Sequence, residues 1–452
     1  MSRVLAHCVP REMALLGLVE LTLSALLIYV VLGGADLPGG LSSAAPGFSW
    51  GGVDLAVTIA LLIVVTAATA GLYRTDICLN PRRVLITATV AGVIASPFIL
   101  WLGGLSGSRL GGNSLVWVAQ ILGVWVAVLV VTRLAYSLIA RHSQMTRRVL
   151  VIGTGTRGAH LMDVLRLRHV QLFEPVKFGA DYTTLSATSM RRQRIWGVIV
   201  ADDAIEAQIA APLLDSKLRG IKVFSDADFH EQHLGRIDLD TIDTGWLLRA
   251  DGFGTGCLSS AVKRAFDILS SSVLVVATLP LMLITALLIK LDTPGPVLYR
   301  QRRTGHFGVP FTLFKFRSMT VDAEAGGQPR WAQKHDPRVT RVGHFIRQTR
   351  VDELPQLFNV LRGDMSMIGP RPERPHFVEE LSLAIPYYRE REYVKPGITG
   401  WAQVNYPYGA SVEDAREKLS YDLYYVKNRS LPLDFLIFCS TVRVVLFREG
   451  AR

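Results

Sequence analysis

The chain has 452 residues, half of them hydrophobic, and 19% charged residues against the roughly 25% of an ordinary soluble domain. That balance excludes a purely soluble enzyme, and also a disordered chain, which needs low hydrophobicity and high net charge. The net charge of +11 is uneven: residues 1–140 hold seven basic and five acidic side chains, so most of the excess lies beyond them. An apolar front followed by a basic remainder points to a membrane protein whose polar part faces anionic lipid, phosphate or nucleotide. The four cysteines (Cys8, Cys78, Cys257, Cys439) form no C-x-x-C pair and outline neither a disulfide framework nor a zinc site.

Four apolar stretches come first, Met13–Leu32, Val53–Leu72, Val84–Leu102 and Leu115–Ala140. Each is long enough for the ~20 residues that cross a bilayer core as a helix. The first exceeds the roughly 7–15 apolar residues of a signal peptide and reads as a retained helix. Arginines sit before the first stretch (Arg3, Arg11), after the second (Arg74, Arg82, Arg83) and after the fourth (Arg141, Arg147, Arg148). The first loop, Gly33–Gly52, has none, and the third has only Arg109. Positive charge stays on the cytoplasmic side, so both ends of the bundle and all that follows are expected there. Glu20 and Arg133 each lie about 10 Å from the cytoplasmic ends of their helices at ~1.5 Å per residue. Either they pair, because an unpaired charge at that depth is costly, or each snorkels separately to the interface.

From Arg147 the pattern changes. Arg148–Gly153 reads as a buried strand, followed by Gly153-Thr-Gly-Thr-Arg-Gly158 and a helical run, Ala159–Leu167. Trp196–Asp202 and Ile221–Ser225 read as further buried strands, giving a parallel α/β sheet of Rossmann-like type. Gly153, Gly155 and Gly158 stand where a dinucleotide pyrophosphate would bind. The acidic partner expected some 20 residues on is missing, with Asp181 the nearest candidate and late. A glycine turn in a regulatory or dimerising domain is therefore favoured over a bound nucleotide.

A fifth apolar stretch, Ala265–Leu291, is long enough to span, yet Lys263 and Arg264 precede it and Lys290, Arg300, Arg302 and Arg303 follow. Both flanks prefer the cytoplasm. Pro280 in its middle removes a helical hydrogen bond, so a helix broken there is expected to enter one leaflet and return. Thr278 and Ser270–Ser272 are candidates for satisfying the freed backbone. The alternative is a plain fifth span.

Residues 292–405 hold the densest motifs. They are Asp292-Thr-Pro-Gly-Pro296, Arg300-Gln-Arg-Arg-Thr-Gly305, Lys315-Phe-Arg-Ser-Met319, Arg347, Asp352-Glu-Leu-Pro-Gln356, Gly363-Asp-Met-Ser366, Gly369-Pro-Arg-Pro372 and Pro396-Gly-Ile-Thr-Gly-Trp-Ala-Gln403. Alone, Asp352 reads as a helix N-cap and Glu353 as a first-turn acid. Among Lys315, Arg317, Arg347, Arg350 and Arg371, the pair also reads as a nucleophile and a metal ligand. A carboxylate ringed by positive charge stays ionised and can attack phosphorus, and oxygen ligands with a phosphate substrate imply Mg²⁺. The basic groups would neutralise phosphate oxygens, or form a rim for anionic lipid.

On these motifs, with Lys263-Arg264…Asp267 ahead of them, residues 258–450 resemble the catalytic domain of the bacterial sugar transferases, the monotopic phosphoglycosyl transferases. The preceding spans and Rossmann-like module resemble the large, exopolysaccharide-type branch. Arg350-Val351 stands where the family has Ser-Leu, and Leu279-Pro280 where it has Ser-Pro. The resemblance implies a two-step transfer of hexose-1-phosphate from a UDP-sugar to undecaprenyl phosphate. Asp352 matches the nucleophile, Glu353 the Mg²⁺ residue, and Arg347 and Arg371 match phosphate contacts; Lys315 and Arg317 are added here from their position.

The expected architecture is a four-span membrane helical bundle (1–143), a Rossmann-like cytoplasmic module (144–250) and an α-rich monotopic catalytic domain (251–452) with a re-entrant helix over 264–291. Its expected partners are the UDP-sugar, undecaprenyl phosphate, membrane lipid and a second copy, with no nucleic acid; its expected place is the cytoplasmic side of a bacterial inner membrane. Leu431–Phe447, flanked by Lys427, Arg429, Arg443 and Arg448, reads as an interfacial helix or a packed core helix. Tyr421–Tyr425 reads as a sugar-pocket wall or an interface belt. The competing functions are a membrane-anchored NAD-dependent oxidoreductase or epimerase, whose catalytic Tyr/Lys or His pair is not found, and a non-catalytic scaffold of polysaccharide export.

Overall fold

A computed structural model describes residues 11–33, 52–69, 72–73, 81–105, 114–142, 147–153, 156–166, 173–178, 186–201, 203–240, 242, 256–321, 336–406, 409 and 411–447. The chain divides into two compact units, residues 1–229 and 230–452. The loop arginines Arg74 and Arg109, together with Gly155, Asp181 and Arg448, lie outside the described residues.

The first unit opens with four helices, α1 (Arg11–Gly33), α2 (Gly52–Thr69), α3 (Pro81–Leu105) and α4 (Ser114–His142). Helix α1 packs on α2 and α4, and α2 on α3. Small residues (Ala56, Ala60, Ala67, Ala88, Ala91, Ala95) let the backbones approach, and Ile59, Ile63, Trp125 and Leu129 fill the space between them. Leu18, Val30, Val93, Trp101 and Val131 face outward as exposed apolar side chains, as expected of surfaces that meet lipid. Stretches of α3 (Thr87–Gly104) and α4 (Val116–Tyr136) are long and apolar enough to cross a bilayer. Helices α1 and α2 contribute shorter apolar stretches, Leu15–Val31 and Asp54–Ala68.

Glu20 and Arg133 do pair. Arg133 Nη1 lies 3.0 Å from Glu20 Oε1, and both residues are buried. Tyr73 Oη and Thr132 Oγ1 each donate to the Glu20 carboxylate at 2.7 Å. Arg133 Nη2 donates to the Leu72 carbonyl at 3.2 Å, and its guanidinium lies over the Tyr73 ring. Separate snorkelling is ruled out by this buried ion pair.

After the helices comes a four-stranded parallel sheet in the order β2-β1-β3-β4. Its strands are β1 (Arg147–Ile152), β2 (Phe173–Lys177), β3 (Ile195–Val200) and β4 (Lys222–Ser225), with α5 (Thr156–Arg166), α6 (Ala187–Arg192) and α7 (Asp203–Leu218) between them. The glycines of the first turn have packing reasons. A Cβ on Gly153 would stand 3.1 Å from that of Ala201, and one on Gly158 2.8 Å from the Gly153 carbonyl.

The second unit begins earlier than the boundary expected at 250, because residues 230–240 are bonded to its helices. Trp401 Nε1 donates to the Gly235 carbonyl at 2.7 Å, Arg236 pairs with Glu417 at 2.6 Å, and Lys427 pairs with Glu231 at 2.7 Å. The long helix α8 (Cys257–Asp292) follows. It runs through Pro280 without interruption, so the expected break is not a gap in the helix. Ser270, Ser271 and Thr278 donate to the carbonyls of Phe266, Asp267 and Leu274, and none of these is the Val276 carbonyl that Pro280 cannot serve. Both ends of α8 are held by the same unit. Asp267 accepts from Ser366 Oγ and Met367 N near one end, and Met282 and Ile289 pack with Ile346 and Val351 near the other. Between them Val273, Val276, Leu279 and Leu281 are exposed.

Beyond α8 lie the hairpin β5 (Leu298–Thr304)–β6 (Pro310–Phe316), α9 (Arg341–Gln348), α10 (Gln356–Arg362) and β7 (Ser366–Ile368). Then come α11 (Pro375–Ala384), β8 (Gly397–Thr399), α12 (Trp401–Asn405), α13 (Val412–Asn428) and α14 (Leu431–Phe447). Tyr424 and Tyr425 are buried core residues, not an interface belt. Helix α14 buries Leu433, Asp434 and Ile437 and exposes Phe435, so at least one face is packed.

The buried pair in the helical unit gives a direct test. Glu20→Leu strands the Arg133 charge and is expected to cost about 3–5 kcal/mol, whereas Glu20→Leu with Arg133→Met recovers most of it. Thermal unfolding of the two variants in detergent micelles measures the difference.

Candidate active site

The acidic pair lies on a single 3₁₀ turn, Val351–Glu353, between α9 and α10. Asp352 is therefore not the cap of the helix, which begins at Gln356 after Pro355. Arg350 enters the turn in the left-handed region (φ 59°), a conformation uncommon for a residue with a side chain. Successive residues of a 3₁₀ turn point about 120° apart, so the two carboxylates face different surroundings.

Three anchors hold this turn. Arg264 of α8 donates to the Val360 and Leu361 carbonyls at 2.6 and 2.7 Å, satisfying the end of α10. Gly363 closes the same helix at φ 98°. Asn359, wholly buried, acts as a strand partner for β6: its side-chain oxygen accepts from Phe314 N at 3.0 Å, and its Nδ2 donates to the Thr312 carbonyl at 2.7 Å. That grip places Lys315 beside the acidic turn.

The basic groups gather on Glu353. Lys315 Nζ and Arg371 Nη2 both donate to its Oε1, at 3.1 and 2.6 Å, and Arg350 Nη1 is 3.9 Å away. Burial alone would push Glu353 up, but Arg371, Lys315 and Arg350 outweigh it and hold the carboxyl well below its usual range. Asp352 accepts no hydrogen bond from the described residues. Burial first, and the Glu353 charge second, push it up to about 6 against the pull of Lys315, Arg371 and Arg350. The ring of positive charge expected around Asp352 thus belongs mainly to its neighbour. Burial lowers Lys315 in turn, opposed by Glu353.

The remaining sequence candidates divide. Arg317 is not free for phosphate: it is buried and donates to the Thr293 and Pro294 carbonyls at 2.7 and 2.8 Å. Its work is to fasten the Asp292–Pro296 turn, where a Cβ on Gly295 would meet its guanidinium. The side chain of Arg347, half-buried on the last turn of α9, makes no hydrogen bond or ion pair among the described residues and lies within electrostatic reach of Asp336.

The glycine motifs let backbones touch. Strands β7 and β8 pair in parallel, Ser366 with Gly397 and Ile368 with Thr399. A Cβ on Gly369 would stand 2.3 Å from the Lys395 carbonyl, and one on Gly400 2.3 Å from the Gly369 carbonyl. This close approach sets the Gly369–Pro372 loop that carries Arg371. Asn359, Arg391 and Asp422 also belong to the surroundings of the site and were not singled out by sequence. Asn359 sits inside a helical run and Asp422 inside a tyrosine-rich one, with no local mark of their long-range partners.

The donor set suits a hard divalent cation. Glu353 is held ionised, its Oε2 has no hydrogen-bond donor among the described residues, and the Asp352 oxygens are unengaged; carboxylate oxygens are the ligands Mg²⁺ prefers.

Residues 258–448 match the family model described as "Bacterial sugar transferase". A protein of Aeromonas hydrophila named UDP-N-acetylgalactosamine-undecaprenyl-phosphate N-acetylgalactosaminephosphotransferase is 44% identical over 254 residues, 56% of this chain and 58% of that protein. A putative undecaprenyl-phosphate N-acetylgalactosaminyl 1-phosphate transferase of Bacillus subtilis (strain 168) is 56% identical over 131 residues, 29% of this chain and 73% of its own length. A UDP-glucose:undecaprenyl-phosphate glucose-1-phosphate transferase of Xanthomonas campestris pv. campestris is 47% identical over 174 residues, 38% of this chain and 36% of its own length. The alignments thus span little more than half of the Aeromonas protein and about a third of the Xanthomonas one. The chain belongs to the bacterial sugar transferase family.

Asn359→Leu keeps the size of the side chain but leaves the Phe314 amide and Thr312 carbonyl unpaired. It is expected to cost about 1–3 kcal/mol, read as a lowered melting temperature of the purified protein.

Proposed function

We propose that this protein transfers a hexose- or N-acetylhexosamine-1-phosphate from a UDP-sugar to undecaprenyl phosphate and releases UMP. The observation that carries this reading is the division of labour in the acidic pair. Glu353 is fastened by Lys315 and Arg371, while the adjacent buried Asp352 keeps its oxygens unengaged. The three relatives described above, each named as an undecaprenyl-phosphate sugar-phosphate transferase, support the same reaction class.

An Asp352 oxygen attacks the sugar-bearing phosphorus. A carboxylate–phosphorus bond forms, the anhydride bond breaks, and its electron pair leaves with UMP. A phosphate oxygen of undecaprenyl phosphate then attacks the same phosphorus, forming the lipid diphosphosugar and returning the Asp352 carboxylate. Arg347, with its guanidinium unengaged, and Arg371, beside the acidic turn, are placed to meet phosphate oxygens. Glu353 would hold Mg²⁺, which when bound supplies positive charge to those oxygens.

A membrane-dipping α8 suits a reaction between a water-soluble nucleotide and a lipid phosphate. Support for re-entrance comes from both ends of α8 binding one compact unit while its apolar middle is exposed. In this reading the four preceding helices span the bacterial inner membrane, the parallel sheet is a Rossmann-like cytoplasmic module, and the loop arginines set the catalytic domain on the cytoplasmic side. A homodimer is part of the same proposal.

The test is a panel of UDP-sugars scored by UMP release with the purified protein in lipid. Asp352→Asn is expected to abolish release and the trapped phosphosugar adduct; an active Asp352→Asn defeats the mechanism. The pH dependence has a definite sign. Attack needs an ionised Asp352, so activity is complete well above its folded value of about 6 and is lost as pH falls through it. A profile that stays flat down to the ordinary carboxylate range contradicts Asp352 as the nucleophile.

A further inference from the structure

The loop that carries Arg371 is fastened residue by residue. Gly369 N donates to the Thr399 carbonyl and Gly397 N to the Pro370 carbonyl, each at 2.9 Å. Farther along, Arg303 Nη1 donates to the Pro372 carbonyl and Thr304 N to the Glu373 carbonyl, again at 2.9 Å. Between these ties, the carbonyl of Arg371 itself accepts from Arg391 Nη2 at 2.9 Å.

Arg391 comes from the 3₁₀ turn Tyr388–Tyr393. The same Nη2 lies 2.8 Å from Asp422 Oδ2 on α13, and its Nη1 donates to Tyr388 Oη at 2.8 Å. The Arg391 side chain is 10% exposed and that of Asp422 is 3% exposed. Removing a charge pair from water is costly, and joining a turn to a helix does not by itself require one. The destination of the Arg391 bond gives the pair a purpose. It ends on the backbone of the residue whose guanidinium, 2.6 Å from Glu353 Oε1, steadies the acidic pair. One line of contacts thus runs from Asp422 through Arg391 and the Arg371 backbone to Glu353.

We propose that Arg391 and Asp422 are positioning residues for the transfer reaction: the buried pair fixes the Arg371 carbonyl so that the Arg371 guanidinium lands on Glu353. The claim rests on the reading above that Arg371 and Glu353 serve the reacting phosphate. Neither Arg391 nor Asp422 touches the reacting atoms.

The test is a double-mutant cycle on the full-length protein in lipid nanodiscs, following UMP release. Arg391→Ala is expected to lower kcat about 100-fold, the scale of a misplaced catalytic contact, with KM for the UDP-sugar changed less than about threefold. Arg391→Ala added to Arg371→Ala is expected to cost less than about twofold more, because no guanidinium is left to position. Added methylguanidinium is expected to restore part of the kcat of Arg391→Ala but none of the double variant, entering by the small cavity that Thr304, Arg371, Glu373 and Arg391 line. Tyr388→Phe, which removes one hydrogen bond and no charge, serves the same cycle if Arg391→Ala does not fold. Costs that multiply in the double variant, or a loss confined to KM, overturn the proposal.

Hydrogen exchange of the amides of residues 369–373 separates this claim from the functional one. It is expected to speed at least tenfold in Arg391→Ala, or in Tyr388→Phe where that variant is used. Faster exchange in a protein whose wild type releases no UMP defeats the transferase reading and leaves the positional role standing. Unchanged exchange defeats the positional role whatever the activity.

Discussion

Two neighbouring carboxylates share their positive surroundings unequally, and the chemistry of the site follows from that inequality. Lys315 and Arg371 converge on one oxygen of Glu353, stabilising its charged form despite burial. Asp352, one residue earlier on a tight turn, receives the burial without the hydrogen bonds and is pushed up to about 6. Had the cations bonded both acids alike, the oxygens of Asp352 would be tied up like those of Glu353. The turn that separates them depends on the left-handed backbone at Arg350 and on the start of α10 only after Pro355.

That turn is held from three directions. Arg264 ties the end of α10 to the long apolar helix α8, and Asn359 ties α10 to the hairpin bearing Lys315. The glycines at 369, 397 and 400 allow β7, β8 and the Arg371 loop to lie at backbone contact. Arg317 secures the exit of α8 rather than substrate, although its motif neighbour Lys315 points to the site. The Glu20–Arg133 network shows the same rule inside the helical unit, where buried charges persist with every strong partner close by.

The apolar stretches, the parallel strands and the acidic pair were legible because each is a local pattern: a run, a period or a motif with fixed spacing. Three strands of the parallel sheet, β1, β3 and β4, fell within a residue or two of their expected places, whereas β2 had no expected bounds. Glu20 and Arg133 could be matched by depth because helical rise is constant. The N-cap reading of Asp352 failed because a cap is judged from a few residues, whereas Pro355 and the Arg350 turn postpone the helix. Tyr424 and Tyr425 looked interfacial by type and proved to be core because α13 is covered by the residues around it. Asn359, Arg391 and Asp422 escaped notice since each gains its meaning from a partner dozens of residues away or on another element.

The sequence by itself determined which segments avoid water, which strands alternate with helices, and which short motifs carry charge and glycine in a fixed order. These properties reside in side-chain chemistry and backbone period and need no partner to exist. Only the tertiary structure decided which carboxylate receives the cations, which arginine is spent on a turn, and which buried pair supports the loop of Arg371. Hydrogen bonds act over about 3 Å, and only folding brings residues far apart in the chain within that reach.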